Sequence, residues 1–579
     1  MFKKLMPYVG KYKKYALLAP LIIIFEVFLE VNIPRIMAKL VDTGIMNKDL
    51  SFIMKMGLMM ILMALLSLVA GALAARFASI ASTGFAKGVR KALFYRIQDF
   101  SFANMDKFTT ASLVTRLTTD VNNTQMTFMM MIRMMIRAPI MLILAVIMAI
   151  SLNAKLSLVF LFAIPILGVS LYFIASKAFP RFQIMLKKYD RLNAIIQETL
   201  IGIRVVKAFV RGEYEEEKFR DISDQLRQTQ IKAERIVIWH MPIMQFVMYG
   251  CMIAVSWFGG NLIISGEMQT GELMGFISYI TQILMSLMMI SMVMVMLVIS
   301  RASITRIIEV LDEKPGITVK ENPVAAVDDS SITFRDVSFS YGGMEGNKVL
   351  ENVNLSILPG ETIGIIGGTG SAKTTLVQLI PRLYDTTEGN VLVGGRDVRD
   401  YDLKTLRDCV AMVLQKNVLF TGTIRDNLKW GDKDASEDEI IEACKAAQAH
   451  DFIMSFPNGY DTVLGQGGVN VSGGQKQRLT IARALLKKPK IIILDDSTSA
   501  VDTATDSKIR AALRSNLVGT TTLIIAQRIA SVMDADRIIV MDDGRVNAVG
   551  THDELMKTNQ IYREVYESQQ KGVEEHVGA

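Results

Sequence analysis

Six apolar segments in the first half of the chain are long enough to cross a lipid bilayer, and they limit the possible folds more than any other feature. A membrane-crossing helix needs about 20 predominantly apolar residues. The candidate spans cover residues 15–33, 52–75, 138–154, 156–178, 236–258 and 273–299. Only helices and closed barrels satisfy their backbone polar groups in hydrocarbon. The sequence therefore predicts a multi-pass, α-helical membrane domain.

Charged residues before the first span predict the orientation. Five lysines precede this span: Lys3, Lys4, Lys11, Lys13 and Lys14. The positive-inside rule places this end in the cytosol, and an even number of spans returns the other end to the same side. No small-residue cleavage site follows the first span, so it is interpreted as a retained helix. We expect a protein of the cytoplasmic membrane with both termini cytosolic.

The connections between the spans are very unequal in length. Residues 151–155 form a tight turn, whereas residues 76–137 and 179–235 are long and polar. Alternation along the spans places both long connections in the cytosol. Apolar residues recur at helical spacing within them, as at Leu192 and Ile195, which predicts that the spanning helices continue beyond the membrane.

A change in composition marks the domain boundary. The helix of the sixth span ends near Lys314-Pro-Gly316, a strong helix breaker, and a polar stretch follows it. Short β-like runs begin after that stretch. We predict a membrane domain over residues 1–311, a linker over 312–330 and a second domain over 331–579.

Charge and cysteine content argue against several functions. The net charge is +7, but the basic residues cluster beside the spans, as topology alone requires. No nucleic-acid partner is therefore predicted. Cys251, Cys409 and Cys444 have no paired spacing, so neither a disulfide framework nor a zinc site is expected.

Methionine is unusually abundant, with 37 residues and runs at 126–135 and 285–296. Flexible thioethers fill uneven gaps in packed or lipid-facing helices. They also suit an adaptable substrate surface. The sequence leaves both interpretations open.

A glycine-rich turn in the second domain has the composition of a phosphate-binding loop. The strand-like run Thr362-Ile-Gly-Ile-Ile366 precedes Gly367-Gly-Thr-Gly-Ser-Ala372-Lys373-Thr374. Backbone N–H groups and a helix N-terminus cradle phosphates in such loops, with the lysine on the β/γ-phosphates and the hydroxyl on Mg²⁺. The strict pattern has glycine in place of Ala372. Alanine is tolerable here if the position has a helical φ, because only a positive φ or a close backbone approach demands glycine.

A second apolar strand ends in two adjacent acids. It reads Ile491-Ile-Ile-Leu-Asp495-Asp496, about 120 residues after the glycine-rich turn. An acid at the carboxyl end of a buried strand is suited to hold Mg²⁺ beside phosphates. Together, the loop and the strand predict a nucleotide site.

These motifs resemble those of ABC transporters, and more specifically one half of a heterodimeric ABC exporter of the multidrug type. The run Val471-Ser472-Gly473-Gly474-Gln475 matches the signature motif, and Ser499-Ala-Val-Asp502 matches the D-loop. The resemblance covers the whole chain. It implies six transmembrane helices extended into the cytosol, followed by an α/β P-loop ATPase domain of ABC type.

The resemblance also implies the ligands, ATP and Mg²⁺. Tyr341 would stack on adenine, and Gln415 would sense Mg²⁺ and the membrane domain. Phosphates would be held by Gly367, Gly368, Thr369, Gly370, Ser371, Ala372, Lys373, Thr374 and Thr375. Magnesium would be held by Thr374, Gln415 and Asp495. In this family the signature residues Ser472, Gly473, Gly474 and Gln475 complete the phosphate site of the other subunit, so dimerisation is implied.

Two matched positions depart from the family pattern. By the resemblance, Asp496 replaces the Glu that acts as general base toward the attacking water, and Gln527 replaces the switch histidine, which lies near the γ-phosphate. Misplacing a catalytic group by about 1 Å costs up to ~10²-fold in rate, and losing a general base costs roughly 10²–10⁴-fold. Glutamine can donate a hydrogen bond but cannot carry a proton as histidine does. We predict a transport ATPase whose own site is impaired and whose partner keeps Glu and His; the alternative is a conservative change that retains hydrolysis.

Charged residues in and near the spans are further candidates. Glu26 and Glu30 share one helical face near mid-membrane, where a carboxylate either faces a substrate cavity or makes a fixed contact between helices. Arg133 and Arg137 lie at the cytosolic edge of the third span, where snorkelling costs little, and a structural role is expected for them. By resemblance, residues 109–117 and 212–219 are the coupling helices that dock onto nucleotide domains.

Several functions remain compatible with these motifs. The expected substrate is a hydrophobic or amphipathic small molecule that meets the protein among membrane lipids, but lipid and peptide exporters share every motif above. A regulatory subunit that binds ATP without transport is a second class. The six spans exclude a soluble DNA-repair ATPase, and importers of this family usually keep the two domains on separate chains.

Overall fold

The chain divides into two compact units. The structure, a computed structural model, describes residues 2–343, 346–497 and 501–577. The first unit comprises Met1–Gln98 and Thr109–Glu313, and the second comprises Asp99–Phe108 and Lys314–Ala579. The later of these divisions falls within the stretch 312–330 that the sequence predicts as a linker.

Helices build the first half of the chain. In chain order they are α1 Phe2–Leu5, α2 Lys13–Lys39, α3 Leu50–Gln98, α4 Phe102–Lys107, α5 Thr110–Thr115, α6 Val121–Leu152, α7 Leu158–Ile201, α8 Ile203–Ala208, α9 Gly212–Val237, α10 His240–Ile264 and α11 Thr270–Asp312. All except α4 belong to the first unit. Short π turns at Leu40–Ile45 and Arg116–Asp120 adjoin α2 and α6.

The six predicted spans are confirmed. In the part of the chain that the structure describes, six helical stretches are long and apolar enough to cross a membrane: Phe2–Ile45, Leu50–Gln98, Thr110–Leu152, Leu158–Ile201, Gly212–Ile264 and Thr270–Met294. Most run well past the apolar segments found in the sequence. The predicted continuation of the spanning helices is therefore present, because the polar extensions keep helical spacing.

Close helix contacts organise the first unit. The fully buried Tyr279 of α11 donates its hydroxyl proton to the carbonyl oxygen of Val31 in α2, at 2.9 Å. Phe160 of α7 stacks on Phe276 of α11, with ring centroids 5.2 Å apart. Gly271 permits a close approach, since a Cβ there would lie 2.3 Å from the carbonyl oxygen of Ala38. These contacts join helices that are distant in sequence.

The second unit is an α/β domain. Its strands are β1 Ile332–Phe339, β2 Leu350–Ile357, β3 Thr362–Gly367, β4 Glu388–Val393, β5 Arg396–Asp397, β6 Val410–Val413, β7 Gly422–Thr423, β8 Val463–Leu464, β9 Ile491–Asp495, β10 Thr521–Ile525, β11 Arg537–Asp542 and β12 Arg545–Gly550. Its remaining helices are α12 Lys373–Gln378, α13 Leu403–Cys409, α14 Ile424–Leu428, α15 Glu437–Ala446, α16 His450–Met454, α17 Gly473–Leu486, α18 Thr503–Asn516, α19 His552–Thr558 and α20 Gln560–Val577.

One mixed sheet positions the motifs. Among the described residues its strand order is β12-β11-β3-β10-β9-β6, and every pair is parallel except β11 with β12. A separate antiparallel sheet has the order β2-β1-β4-β5. Strand β9 is buried along its whole length, as its unbroken apolar sequence predicts. Because β3, β10, β9 and β6 are parallel neighbours, the loops that leave their carboxyl ends meet at one edge.

Candidate functional site

The phosphate loop lies at the carboxyl end of β3. Nζ of Lys373 donates hydrogen bonds to the carbonyl oxygens of Gly367 at 2.9 Å and Gly368 at 2.8 Å, so its side chain curls over the loop. Gly367 has no room for a side chain, since a Cβ would lie 2.2 Å from the carbonyl oxygen of Met541. Gly370 has φ +87°, a conformation that favours glycine. The loop therefore encloses the lysine head group at the start of α12.

Ala372 differs from the expectation. Its φ is +67° and its ψ is +22°, in the left-handed region, where it forms the N-cap of α12. This conformation costs an L-residue with a Cβ roughly 1–2 kcal/mol. The condition under which alanine would be tolerated without strain is therefore not met: the tight turn into α12 requires a positive φ, and alanine adopts it under strain.

The first acid, Asp495, is suited to a metal. It is 1% exposed at the end of β9, and its Oδ1 accepts a hydrogen bond from Oγ1 of Thr374 at 3.0 Å. Its Oδ2 is buried and accepts no hydrogen bond from the described residues. Burial raises the pKa of Asp495, the adjacent Asp496 adds to this effect, and Thr374 and Lys373 oppose it.

These properties fit Mg²⁺. A buried carboxylate oxygen without a partner, next to a threonine hydroxyl, is the oxygen-rich donor set that Mg²⁺ prefers. The cation would also offset the burial that raises the pKa of this acid. Gln415, the third predicted ligand, follows β6 at the same edge of the sheet and is exposed. When bound, Mg²⁺ would neutralise phosphate charge at this position.

The second acid contacts the predicted switch residue directly. Asp496 has φ +48° and is 9% exposed, and its backbone N–H donates to the carbonyl oxygen of Ile525 at 3.0 Å. Nε2 of Gln527 donates to Oδ2 of Asp496 at 2.8 Å. Strands β9 and β10 pair in register, with Asp495 opposite Ile525, so the segments that follow them, which carry Asp496 and Gln527, lie side by side. The two positions that are predicted to depart from the family pattern therefore contact each other.

The predicted adenine-stacking residue joins an aromatic cluster. Tyr341 is 49% exposed and shares a 3.0 Å hydrogen bond with Oγ1 of Thr375 in α12. Its ring packs edge-on against Tyr384, with centroids 5.2 Å apart. This contact fixes the exposed ring next to the phosphate loop, where an adenine base could stack on it.

The signature residues form the start of α17. Oγ of Ser472 accepts from the backbone N–H of Gln475 at 3.3 Å, and the Gln475 side chain accepts from the N–H of Ser472 at 2.8 Å. Ser472 and Gly473 are exposed. None of the hydrogen bonds or ion pairs between described residues joins 471–475 to the phosphate loop. Of the predicted D-loop, residues 499 and 500 lie outside the described residues.

Glu26 and Glu30 form an ion-pair triad with Arg137. Nη1 of Arg137 bonds to Oε1 of Glu26, and Nη2 of Arg137 lies 2.6 Å from Oε2 of Glu30. A Cβ on Gly71 would lie 2.9 Å from Oε1 of Glu26, so a glycine in α3 leaves room for the carboxylate. The head group of Arg137 bridges two acids of α2 instead of snorkelling, which is a contact of the structural kind expected for it. Arg133, one turn earlier, is exposed.

The segment 109–117, predicted as a coupling helix, belongs to the first unit, whereas the preceding segment Asp99–Phe108 belongs to the second. Within that segment, Oδ2 of Asp106 accepts from the hydroxyl of Tyr384 at 2.7 Å. Oδ1 of Asn104 accepts from the N–H of Gly316 at 2.8 Å. Sequence reasoning missed this segment, although Ser101 and Asn104 carry the spacing of a helix capping box. The second predicted segment, 212–219, is the start of α9 in the first unit.

The architecture defines a class of protein, in which bilayer-spanning helices are joined to a P-loop ATPase domain. Residues 16–287 match the ABC transporter transmembrane region, and residues 350–499 match the ABC transporter ATPase family. The chain belongs to the ABC transporter family, as a half-transporter that carries both domains.

Similar proteins cover nearly the whole chain. The ABC transporter ATP-binding protein YfiB of Bacillus subtilis is 40% identical over 96% of this chain and 97% of its own length. YgaD of the same organism, named for multidrug export, is 32% identical over 98% of this chain and 99% of its own. The lipid A-core flippase of Desulfotalea psychrophila is 33% identical over 83% of this chain and 84% of its own.

A solved structure supports the fold. An ATP-bound bacterial Atm1-family ABC exporter superposes with a TM-score of 0.83 at 23% identity, over 96% of this chain and 99% of its own. At this identity the match bears on the fold alone.

Proposed function

We propose that this chain is one subunit of a heterodimeric ABC exporter that uses ATP to move hydrophobic or amphipathic small molecules out across the cytoplasmic membrane. In this proposal its phosphate loop holds Mg²⁺ and ATP in a slow site. Its signature residues serve the competent site of a partner that keeps the catalytic Glu and the switch His. Similarity to YgaD supports the multidrug substrate class.

One observation carries the proposal of a slow site. The short side chain of Asp496 accepts a hydrogen bond from Nε2 of Gln527 at 2.8 Å. A carboxylate held by an amide is less available to take a proton from water, and the amide cannot relay a proton. Both changes impair the same step, whereas residues that bind nucleotide, including Lys373 and Asp495, are retained.

The proposal predicts different behaviour for the lone chain and for the complex. Expressed alone, the full chain should bind ATP, with little turnover and no drug stimulation. Co-expression with its partner, a half-transporter carrying Glu and His at the matching positions, should restore both. Robust drug-stimulated hydrolysis by the lone chain would contradict the heterodimer.

Paired substitutions in the complex test which residues of this chain serve the slow site and which serve the competent site. Gly474→Asp should remove most ATPase activity, because it obstructs the signature turn used by the partner's site, while photolabelling with an ATP analogue at Lys373 persists. Asp496→Ala should change total turnover only modestly, because the slow site contributes little. The reverse ordering would refute the assignment. Asp496→Glu with Gln527→His should raise hydrolysis at this loop.

A lipid exporter subunit is the second candidate, and similarity to the lipid A-core flippase favours it. The two candidates differ in which compounds stimulate the ATPase activity of the complex. Amphipathic drugs should stimulate it in lipid nanodiscs of fixed composition if the first proposal holds. Stimulation only when the nanodisc lipid is changed would favour the second.

A further inference from the structure

The last described helix, α20, contacts the loop that carries Gln527. The residues Tyr562, Val565, Tyr566 and Gln569 follow one another at helical spacing on one face. The first three pack with the cluster that contains Ile529. Gln569 continues that face with a polar side chain, at a position where the apolar pattern would place another hydrophobic residue.

Gln569 bonds to the backbone on both sides of residue 528. Its Oε1 accepts from the N–H of Ile529 at 2.9 Å. Its Nε2 donates to the carbonyl oxygen of Gln527 at 2.8 Å. One side-chain amide thus satisfies two backbone groups just beyond the end of β10, where the ladder with β9 and β3 has stopped.

The helix that presents Gln569 is firmly anchored. Tyr562 is fully buried, and its hydroxyl lies 2.8 Å from Nδ1 of His552. Oδ1 of Asn559 accepts from the N–H of Tyr562 at 2.8 Å, and Nδ2 of Asn559 donates to Asn547 in β12 at 2.7 Å. These contacts hold α20 in place and thereby fix the position of the Gln569 side-chain amide.

The backbone that Gln569 holds determines where the Gln527 side chain points. Nε2 of Gln527 reaches Asp496, while the carbonyl oxygen of the same residue is bound by Gln569. If that carbonyl were released, the peptide plane could rotate and carry the side chain away from the site. We propose that Gln569 is a positioning residue that keeps Gln527 at the γ-phosphate position and thereby sets how strongly this site prefers ATP over ADP. The inference rests on the proposed function only in assigning Gln527 to that position.

The test uses the full-length chain in nanodiscs with three variants. Gln569→Ala removes both bonds. Gln569→Glu keeps an acceptor for the N–H of Ile529 but removes the donor to Gln527. Gln570→Ala is the matched control, because Gln570 is the next residue and is exposed. Hydrogen exchange of the peptide at 526–531 reports whether the two hydrogen bonds of Gln569 hold this backbone. Titration with ADP or a non-hydrolysable ATP analogue, each with Mg²⁺, reports the preference of the site for ATP over ADP.

In Gln569→Ala the amide of Ile529 should exchange faster, and affinity for the ATP analogue should fall about threefold to tenfold, the effect of one lost hydrogen bond. Affinity for ADP, which lacks the γ-phosphate, should change less than about twofold. Gln569→Glu should also lose the preference for the ATP analogue over ADP, while the amide of Ile529 remains protected against hydrogen exchange. Gln570→Ala should match the wild type.

Three outcomes would overturn the inference. Exchange at 526–531 could be unchanged in Gln569→Ala, the two affinities could fall equally, or Gln569→Glu could keep the full preference for the ATP analogue. Failure of the proposed function can be distinguished from failure of this inference. A wild-type chain that binds no nucleotide contradicts the proposed function, while the exchange measurement still tests whether Gln569 holds the backbone at 527–529.

Discussion

Carboxylates that are at least partly buried occur in both units, but their surroundings differ. In the first unit, the guanidinium of Arg137 engages both Glu26 and Glu30. In the second, Asp495 keeps a buried oxygen that accepts no hydrogen bond from the described residues, close to Lys373 and Thr374. Shielding of an acid from solvent therefore does not by itself identify a ligand site. The acids of α2 are joined to α6 through Arg137, whereas we propose that Asp495 receives a cation.

Breaking the triad should have the largest effect. Arg137→Met leaves two partly buried acids without their cation, so the loss should lie at or below the lower end of the about 3–5 kcal/mol that removing one partner of a buried ion pair costs. We expect a clear fall in the melting temperature of the full chain in detergent. Arg133→Met is the matched control on the same helix. It should cost less than about 0.5 kcal/mol, because Arg133 is exposed.

A triple variant separates a structural role from a substrate role. Replacing Arg137 with Met together with Glu26→Gln and Glu30→Gln removes all three charges, so most of the lost stability should return. If Arg137→Met has the same melting temperature as Arg133→Met, the triad does not hold the helices together. The other predicted role of Glu26 and Glu30, in a substrate cavity, is then favoured.

Asp495→Asn should have the next largest effect, on nucleotide binding instead of stability. Asparagine keeps an oxygen for the hydroxyl of Thr374 but removes the negative charge. Even indirect support of a metal is worth about 10–100-fold in affinity. We therefore expect Mg²⁺ to enhance ATP binding to the lone chain at least about tenfold less in the variant. Titrations with Mg²⁺ and with a chelator measure this difference.

Asp506→Asn provides a demanding control for that experiment. Asp506 is also buried with one oxygen that accepts no hydrogen bond from described residues, but its other oxygen bonds to Arg510 and Ser531. Its substitution should leave the Mg²⁺ effect unchanged. An equal loss of the Mg²⁺ effect in both variants would contradict the assignment, because it would show that the position of Asp495 at the end of β9 gives it no special role in binding Mg²⁺.

The sequence predicts local features of the site well. Strand, glycine-rich turn and helix start are adjacent in the chain, and parallel strands bring their carboxyl ends together, so Lys373, Thr374 and Asp495 could be grouped in advance. The pairing of Arg137 with Glu26 could not be, because 111 positions separate them and only the packing of α2 against α6 joins them. The φ of Ala372 also escaped prediction, since alanine ordinarily avoids that region.

Acidification should have a smaller effect than Asp495→Asn, because the substitution removes the negative charge in every molecule at every pH. Burial raises the pKa of Asp495, so a proton competes with Mg²⁺ at a higher pH than it would at an exposed aspartate. As pH falls from 7 to 5, Mg²⁺-dependent ATP binding should weaken more in the wild type than in Asp495→Asn. Protonation of ATP itself affects both proteins equally. Parallel pH profiles would contradict the assignment of Asp495.

The smallest expected effect is at Ala372, two residues before Thr374, whose hydroxyl bonds to Asp495. Ala372→Gly relieves a left-handed conformation worth roughly 1–2 kcal/mol. The lost methyl group, which packs partly against the core, takes back up to about 0.8 kcal/mol.

The net change at Ala372 should be a stabilisation of about 0.5–1 kcal/mol, visible as a small rise in melting temperature. The control is Ala443→Gly, the same substitution inside helix α15, which should destabilise by about 1 kcal/mol. Opposite signs for one chemical change would show that the phosphate loop is strained where the ordinary helix is not. A loss of stability in both variants would show that packing of the methyl group outweighs the backbone strain at the start of α12.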